Sequence, residues 1–215
     1  MKKRIGIYGG SFNPVHLGHV EVVRKAMELD LDELIVIPCS LSPHKVHLAE
    51  AKVIDNEHRW KMLNAVFHAM PRIQLSRYEL EGPVRSFTCQ TIKRYRDVSP
   101  GAVLVLIIGL DQYLVLNQWS HFDEWGDKIE YLVFNRIHEK QNTPIEELKR
   151  LHVQFIEQNI SDISSTQIRN NIRNGISISG LVPKIVEEYI FRHSLYASTE
   201  PQLKKLTSHD CPSHS

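Results

Sequence analysis

Cysteine is scarce: there are three, Cys39, Cys89 and Cys211, widely spaced and odd in number. They make no C-x-x-C pair and no disulfide framework, which predicts a reducing, cytoplasmic setting. An excess of charge of one sign is also lacking. Lys and Arg number 26 against 25 Asp and Glu, a formal net charge of +1. No global field therefore draws in nucleic acid or a membrane surface, and any polyanion must be met by a local site. Long hydrophobic runs are missing. The longest, Ala102 to Ile108, is far below the roughly 20 residues of a membrane span. The apolar stretch in MKKRIGIYGG is too short for a signal peptide. No internal repeat is visible. What is present, 42% hydrophobic and 24% charged residues in a chain of 215, suits one globular domain with a sizeable core.

Short apolar, β-branched bursts alternate with longer amphipathic stretches. Strands are predicted at 4–8, 33–39, 72–80, 102–109, 129–136 and 152–157. Helices are predicted at 19–30, 56–70, 86–98, 111–119, 165–175 and 182–194. Continuous apolar strands imply helices on both faces of the sheet. The alternation implies right-handed βαβ units and an α/β fold with a doubly wound parallel sheet. Residues 1–196 form the expected domain, and the polar stretch 197–215 reads as a flexible tail. Ligands of such a sheet bind beyond the carboxyl ends of the strands, where strand order reverses. The loops to inspect therefore begin after Tyr8, Pro38 and Ile108, and just before Ser165.

GGSFNPVHLGH, residues 9–19, fills the first of these loops. Gly9 and Gly10 permit a tight turn and close approach to a ligand. Pro14 holds Asn13 extended, so the next helix starts near His16 or Leu17. His16 and His19, three apart, share a helical face at a terminus that favours anions. Gly18 between them carries a helix-propensity cost of about 1 kcal/mol, which suggests a steric need. The stretch is neither a G-x-G-x-x-G fingerprint nor a P-loop. Two histidines alone are too few ligands for zinc. Ordinary capping or solvated histidines remain the plain alternative. In DISSTQIRNNIRNG, Ser164, Ser165 and Thr166 precede a periodic helix, which by itself reads as an N-cap. The same hydroxyls, with Arg169, would also cradle phosphate oxygens.

The order G-x-F-x-P-x-H-x-G-H, then I-S-S-T-x-I-R at 163–169, resembles the nucleotidyltransferase superfamily of adenylyl- and cytidylyltransferases. SPHK at 42–45, SFTCQTI at 86–92, IIGLD at 107–111, QW at 118–119 and the ending VPKIVEEYIFRHSLY are most similar to bacterial nicotinate-nucleotide adenylyltransferases. The resemblance covers most of residues 1–196. It implies ATP and nicotinate mononucleotide as substrates, with Mg²⁺ accompanying ATP, and no covalent enzyme intermediate. It assigns His16, His19, Lys45 and Arg169 to catalysis. It places Gly9, Gly10, Ser11, Phe12, Gly18, Gly109, Asp111, Ile163, Ser164, Ser165 and Thr166 around ATP. Asn13, His44, Phe87, Thr88 and Trp119 fall to the acceptor. Without the resemblance, Lys45 reads as a solvated lysine, Asp111 as an N-cap, and Phe87 and Trp119 as core. The chain departs from the family pattern at Ser42, Phe87 and Ser120, and at Asn13, where aspartate is usual. A sister nucleotidyltransferase with another acceptor, a non-catalytic nucleotide sensor and a metal-dependent hydrolase are the competing readings.

Overall fold

Among the described residues, six strands form one sheet: β1 (Arg4–Gly10), β2 (Glu33–Pro38), β3 (Ile73–Leu75), β4 (Val103–Gly109), β5 (Glu130–Asn135) and β6 (His152–Glu157). The computed structural model describes residues 2–40, 54–82, 87–135, 150–157 and 162–197. All neighbouring strands are parallel, in the order β3-β2-β1-β4-β5-β6. Ile7 of β1 stands opposite Ile35 of β2 on one side and Leu106 of β4 on the other. From β1 the chain winds outward through β2 and β3, then returns to lay β4 on the opposite flank. The carboxyl ends of β1 and β4 are therefore the switch point at which ligands of wound sheets bind.

Among the described residues, eight α-helices cover the sheet: α1 (Leu17–Glu28), α2 (Asn56–Phe67), α3 (Tyr78–Glu81), α4 (Thr88–Val98), α5 (Leu110–Tyr113), α6 (Phe122–Trp125), α7 (Ser165–Arg173) and α8 (Lys184–Arg192). Side chains alternate across each strand, so the sheet divides two cores. Leu34, Val36, Val105, Ile107, Leu132 and Phe134 pack with α1, α2, α7 and α8. Ile5, Ile7, Ile35, Ile37, Leu104, Leu106 and Val133 pack with α4, α5 and α6. A Cβ at Gly6 would press on Leu34 Cδ1 of β2 at 2.8 Å and on Leu31 Cδ1 in the turn before β2 at 2.9 Å, so both side chains would have to shift. Among the described residues no helix is long and apolar enough to cross a membrane.

The third strand is shorter than its sequence suggests. Residues 72–80 predict a strand, yet β3 ends at Leu75 and Tyr78–Glu81 is helical. Ser76 Oγ accepts the N–H of Tyr78 at 3.3 Å, and the Arg77 carbonyl accepts those of Leu80 and Glu81. A local serine turn thus outcompetes the β-propensity of Tyr78 and Leu80. The polar tail beyond Ala197 lies outside the described residues.

Candidate active site

The loop after β1 is built around Phe12. Its backbone is left-handed (φ 44°), and its ring is 1% exposed. The ring meets Tyr8 and His19 edge-on, with centroids 5.6 and 4.8 Å apart. It also explains Gly10, where a Cβ would stand 3.0 Å from the Phe12 ring. Gly9 is different, since nothing lies within 4 Å of the position a Cβ would take. That open space at the end of β1 is where a ligand can approach the backbone. Of the residues expected around ATP, Phe12 thus turns its side chain into the core, where it supports His19. Ile163, 8% exposed, does likewise and offers a ligand only its backbone.

His16 caps α1 in an extended conformation. His19 Nδ1 accepts the main-chain N–H of His16 at 3.2 Å. The two rings lie nearly stacked, 3.6 Å between centroids and tilted by 31°. Capping is therefore real for His19, and it has a chemical consequence. A nitrogen that accepts an N–H carries no proton, so the ring proton sits on Nε2, which becomes a donor. At this terminus, expected to favour an anion, the Leu17 N–H is taken by the Leu181 carbonyl at 3.0 Å. Gly18 is buried in the first turn of α1.

The second motif docks onto this same loop. Ser164 Oγ accepts the N–H of Gln167 and caps α7. Ser165 Oγ donates to the Pro14 carbonyl at 2.9 Å. Arg169 Nη1 donates to the Asn13 carbonyl at 2.8 Å, and Nη2 to Thr166 Oγ1 at 3.1 Å. Two motifs some 150 positions apart, 151 between Pro14 and Ser165, thus meet at the switch point. Their meeting is direct, side chain to backbone.

Arg59 is not among the residues the sequence singles out. It is 0% exposed. Its guanidinium donates to the carbonyls of Ser11 (2.8 Å), Cys39 (2.6 Å) and Ser40 (3.2 Å), and to Asn56 Oδ1. One buried cation thus ties the loop after β1 to the loop after β2. Burial lowers the pKa of Arg59, opposed by nearby Cys39, Tyr196 and Asp55. Burial, with a contribution from Arg173, also lowers that of Arg169. Neither guanidinium forms an ion pair with a carboxylate among the described residues; both bind neutral oxygens. A buried charge without a direct ion-pair partner is costly, and among carboxylates only the field of Asp55 offsets that of Arg59, so this corner favours an anionic ligand. The sequence did carry a signal for Arg59: it shares the buried stripe of α2 with Met62, Leu63 and Phe67.

Across the switch point, Gly109 ends β4 and caps α5. The Asp111 side chain folds over Gly109, so that a Cβ there would collide with Oδ1. Asp111 sits in the first turn of α5, and Gly109 occupies the cap position that the plain reading gives to Asp111. Phe87, half-buried, caps α4, and Thr88 opens it. Half-buried Trp119 packs beside Trp125 (6.4 Å between centroids) and against the core that α4 also covers. Cys89 lies close enough to Glu124 of α6 to feel its charge. The expected acceptor residues Phe87, Thr88 and Trp119 are thus carried by the α4–α6 side, and Asn13 by the loop after β1. His44 and Lys45 lie outside the described residues.

A family model described as cytidylyltransferase-like matches residues 7–171, from β1 through α7. The chain belongs to the cytidylyltransferase-like family. Among its relatives is the "Probable nicotinate-nucleotide adenylyltransferase" of Clostridium tetani. That protein is 30% identical over 203 residues, which cover 91% of this chain and 100% of the relative. The protein of the same name from Clostridium botulinum (strain Okra / Type B1) is 31% identical over 198 residues, 88% of this chain and 97% of the relative. The fold matches that of Plasmodium falciparum nicotinic acid mononucleotide adenylyltransferase complexed with NaAD. The TM-score is 0.73 at 22% identity, covering 90% of this chain and 97% of the other. The same enzyme complexed with APC gives a TM-score of 0.72.

This member of the cytidylyltransferase-like family builds no metal cage of its own among the described residues, where no three His, Cys, Asp or Glu side chains come together. The cleft side chains are imidazole, guanidinium and hydroxyl, which suit phosphate oxygens rather than a cation. A Mg²⁺ ion would fit here only as a passenger of the nucleotide, held by phosphate oxygens and water.

Proposed function

We propose that this protein transfers the adenylyl group of ATP to nicotinate mononucleotide, yielding nicotinate adenine dinucleotide and pyrophosphate. The observation that carries this reading is the docking of α7 onto the loop after β1. It brings two imidazoles together with two buried guanidinium ions, neither in an ion pair among the described residues, at the switch point of a wound sheet.

The 5′-phosphate of the mononucleotide attacks the α-phosphorus of ATP in line, and pyrophosphate leaves. A phosphate monoester dianion is already nucleophilic, so the reaction needs no general base and no Ser or Cys nucleophile. Catalysis then rests on positioning and charge stabilisation, of which orientation alone can supply effective molarities of about 10⁵ M or more. His19, with its proton on Nε2, donates to the bridging and α-phosphate oxygens, and His16 supports it from beneath. Thr166 and the backbone N–H groups at the N-terminus of α7 face the triphosphate, while the Ser165 hydroxyl spends its proton on the Pro14 carbonyl and fixes where that terminus sits. Arg169 neutralises charge on the leaving pyrophosphate through its field, because both of its terminal nitrogens already bind protein oxygens. Lys45, assigned by the resemblance alone, adds a further cation. Bound Mg²⁺ supplies further charge neutralisation on the phosphates. Gly9, Gly109 and Asp111 border the nucleoside. Trp119 stacks on the pyridine ring, and Thr88 with the backbone near Phe87 takes the carboxylate. The free thiols of Cys39 and Cys89 suit a reducing, cytoplasmic compartment.

Turnover with nicotinate mononucleotide set against nicotinamide mononucleotide, each with ATP, tests the reading. Faster formation of the nicotinate dinucleotide with stoichiometric pyrophosphate is expected. Preference for the amide would assign the chain to a sister transferase. ATP binding without pyrophosphate release would make it a sensor.

A further inference from the structure

The last described turn of the chain reaches back to the loop after β1. Tyr196 OH donates to Asn13 Oδ1 at 2.8 Å, a contact between positions 183 apart. Asn13 is 4% exposed, and its carbonyl is the one held by Arg169. The turn that delivers Tyr196 uses two left-handed non-glycine residues, Ser194 (φ 48°) and Tyr196 itself (φ 65°). L-residues rarely adopt this conformation, and it persists where surrounding contacts over-determine it. Here Leu195 is buried between them, 9% exposed and packed in the core that includes Phe12 and Val15. The phenol lies near both Arg169 and Arg59.

The loop is therefore held at successive positions by side chains from three parts of the fold. Arg59 of α2 takes the Ser11 carbonyl, Arg169 and Ser165 of α7 take those of Asn13 and Pro14, and Tyr196 takes the Asn13 side chain. Only the last of these contacts fixes a side chain rather than the backbone. An amide is planar, so pinning its oxygen also fixes the direction of its NH₂ group. Burial holds the Tyr196 hydroxyl well above the usual phenol range, outweighing the two guanidinium ions, so it stays a donor.

We propose that Tyr196 is a positioning residue for adenylyl transfer: its hydroxyl orients the Asn13 amide so that the NH₂ group donates to a phosphate oxygen of the reacting nucleotides. This rests on the function proposed above. Tyr196 touches no substrate and acts through Asn13 alone, so its effect falls on turnover and depends on Asn13.

The experiment is a double-mutant cycle of Tyr196→Phe and Asn13→Ala in the full chain, with kcat and KM for ATP and nicotinate mononucleotide. It is run at a temperature where circular dichroism shows each variant folded. Tyr196→Phe should lower kcat about 5- to 20-fold, the loss of one oriented hydrogen bond, with both KM values within twofold. In the Asn13→Ala background the same change should have no further effect. Wild-type kcat for Tyr196→Phe, or equal losses in both backgrounds, would overturn the proposal. If Tyr196→Phe is unfolded at every temperature, Asn13→Ala alone is read, and wild-type kcat for it overturns the proposal too. A wild-type chain that makes no dinucleotide defeats the functional reading instead, which keeps the two failures distinct.

Discussion

Replacing Arg59 by methionine tests whether one buried guanidinium joins the two loops of the switch point. The substitution keeps an unbranched apolar stem but is shorter and removes the guanidinium, leaving the carbonyls of Ser11, Cys39 and Ser40 and the Asn56 side-chain oxygen without their donor. The Cys39 carbonyl is bonded in a fully buried setting, and the other three contacts are part-buried. A buried acceptor left unsatisfied costs about 1–3 kcal/mol, and each part-exposed one about 0.5–1.5 kcal/mol because water replaces the donor. Against this, methionine removes the penalty of burying a charge. The net expectation is a loss of about 2–4 kcal/mol, below the roughly 5–15 kcal/mol that stabilises a domain. The variant should fold, with its melting midpoint lowered by about 2–4 °C per kcal/mol for a chain of this size. Urea unfolding at unchanged slope gives the free energy, and calorimetry gives the midpoint. Arg59→Lys should fall between the two, since a single ammonium cannot span four acceptors. Unshifted unfolding of Arg59→Met, or full recovery by Arg59→Lys, would refute the bridging argument.

Three further outcomes follow from the same geometry. His19→Ala should lower kcat about 10²- to 10³-fold, the usual loss of one donor to transition-state charge, with circular dichroism unchanged; near-normal turnover would remove His19 from the mechanism. Ser165→Ala deletes the bond to the Pro14 carbonyl and should cost about 1 kcal/mol in urea unfolding, together with a fall in kcat as α7 loosens from the loop. Trp119→Ala should raise KM for nicotinate mononucleotide roughly tenfold, the worth of one aromatic stack. KM for ATP should stay unchanged in steady-state kinetics, and a parallel rise in it would place Trp119 in general packing.

Much of this fold was legible because both faces of the sheet are covered. The strands read as continuous apolar bursts, and the amphipathic helices fall between them. The expectation fails at Ser76, the fifth residue of the β-like stretch 72–80, where a hydroxyl–backbone turn begins a helical turn instead. The two motifs were legible as residue types, but their contact was not. That Ser165 and Arg169 grip the backbone of Pro14 and Asn13 depends on where α7 lands. Phe12 and Ile163 belong to the motifs yet point inward, because a loop pressed against a core must bury some side chains. Arg59 lies in none of the stretches that carry the resemblance, and Tyr196 only ends one of them, VPKIVEEYIFRHSLY, with no role attached to it. A guanidinium on the apolar stripe of α2 could have been noticed as a buried charge, whereas a tyrosine in a closing turn looks like any other aromatic.

The most direct measurement is a crystal structure of this protein with a non-hydrolysable ATP analogue. We expect the triphosphate to lie between His16, His19 and the N-terminus of α7, with Arg169 behind the loop after β1. A triphosphate bound away from that junction, with the imidazoles and the N-terminus of α7 facing no phosphate oxygen, would contradict the proposed mechanism.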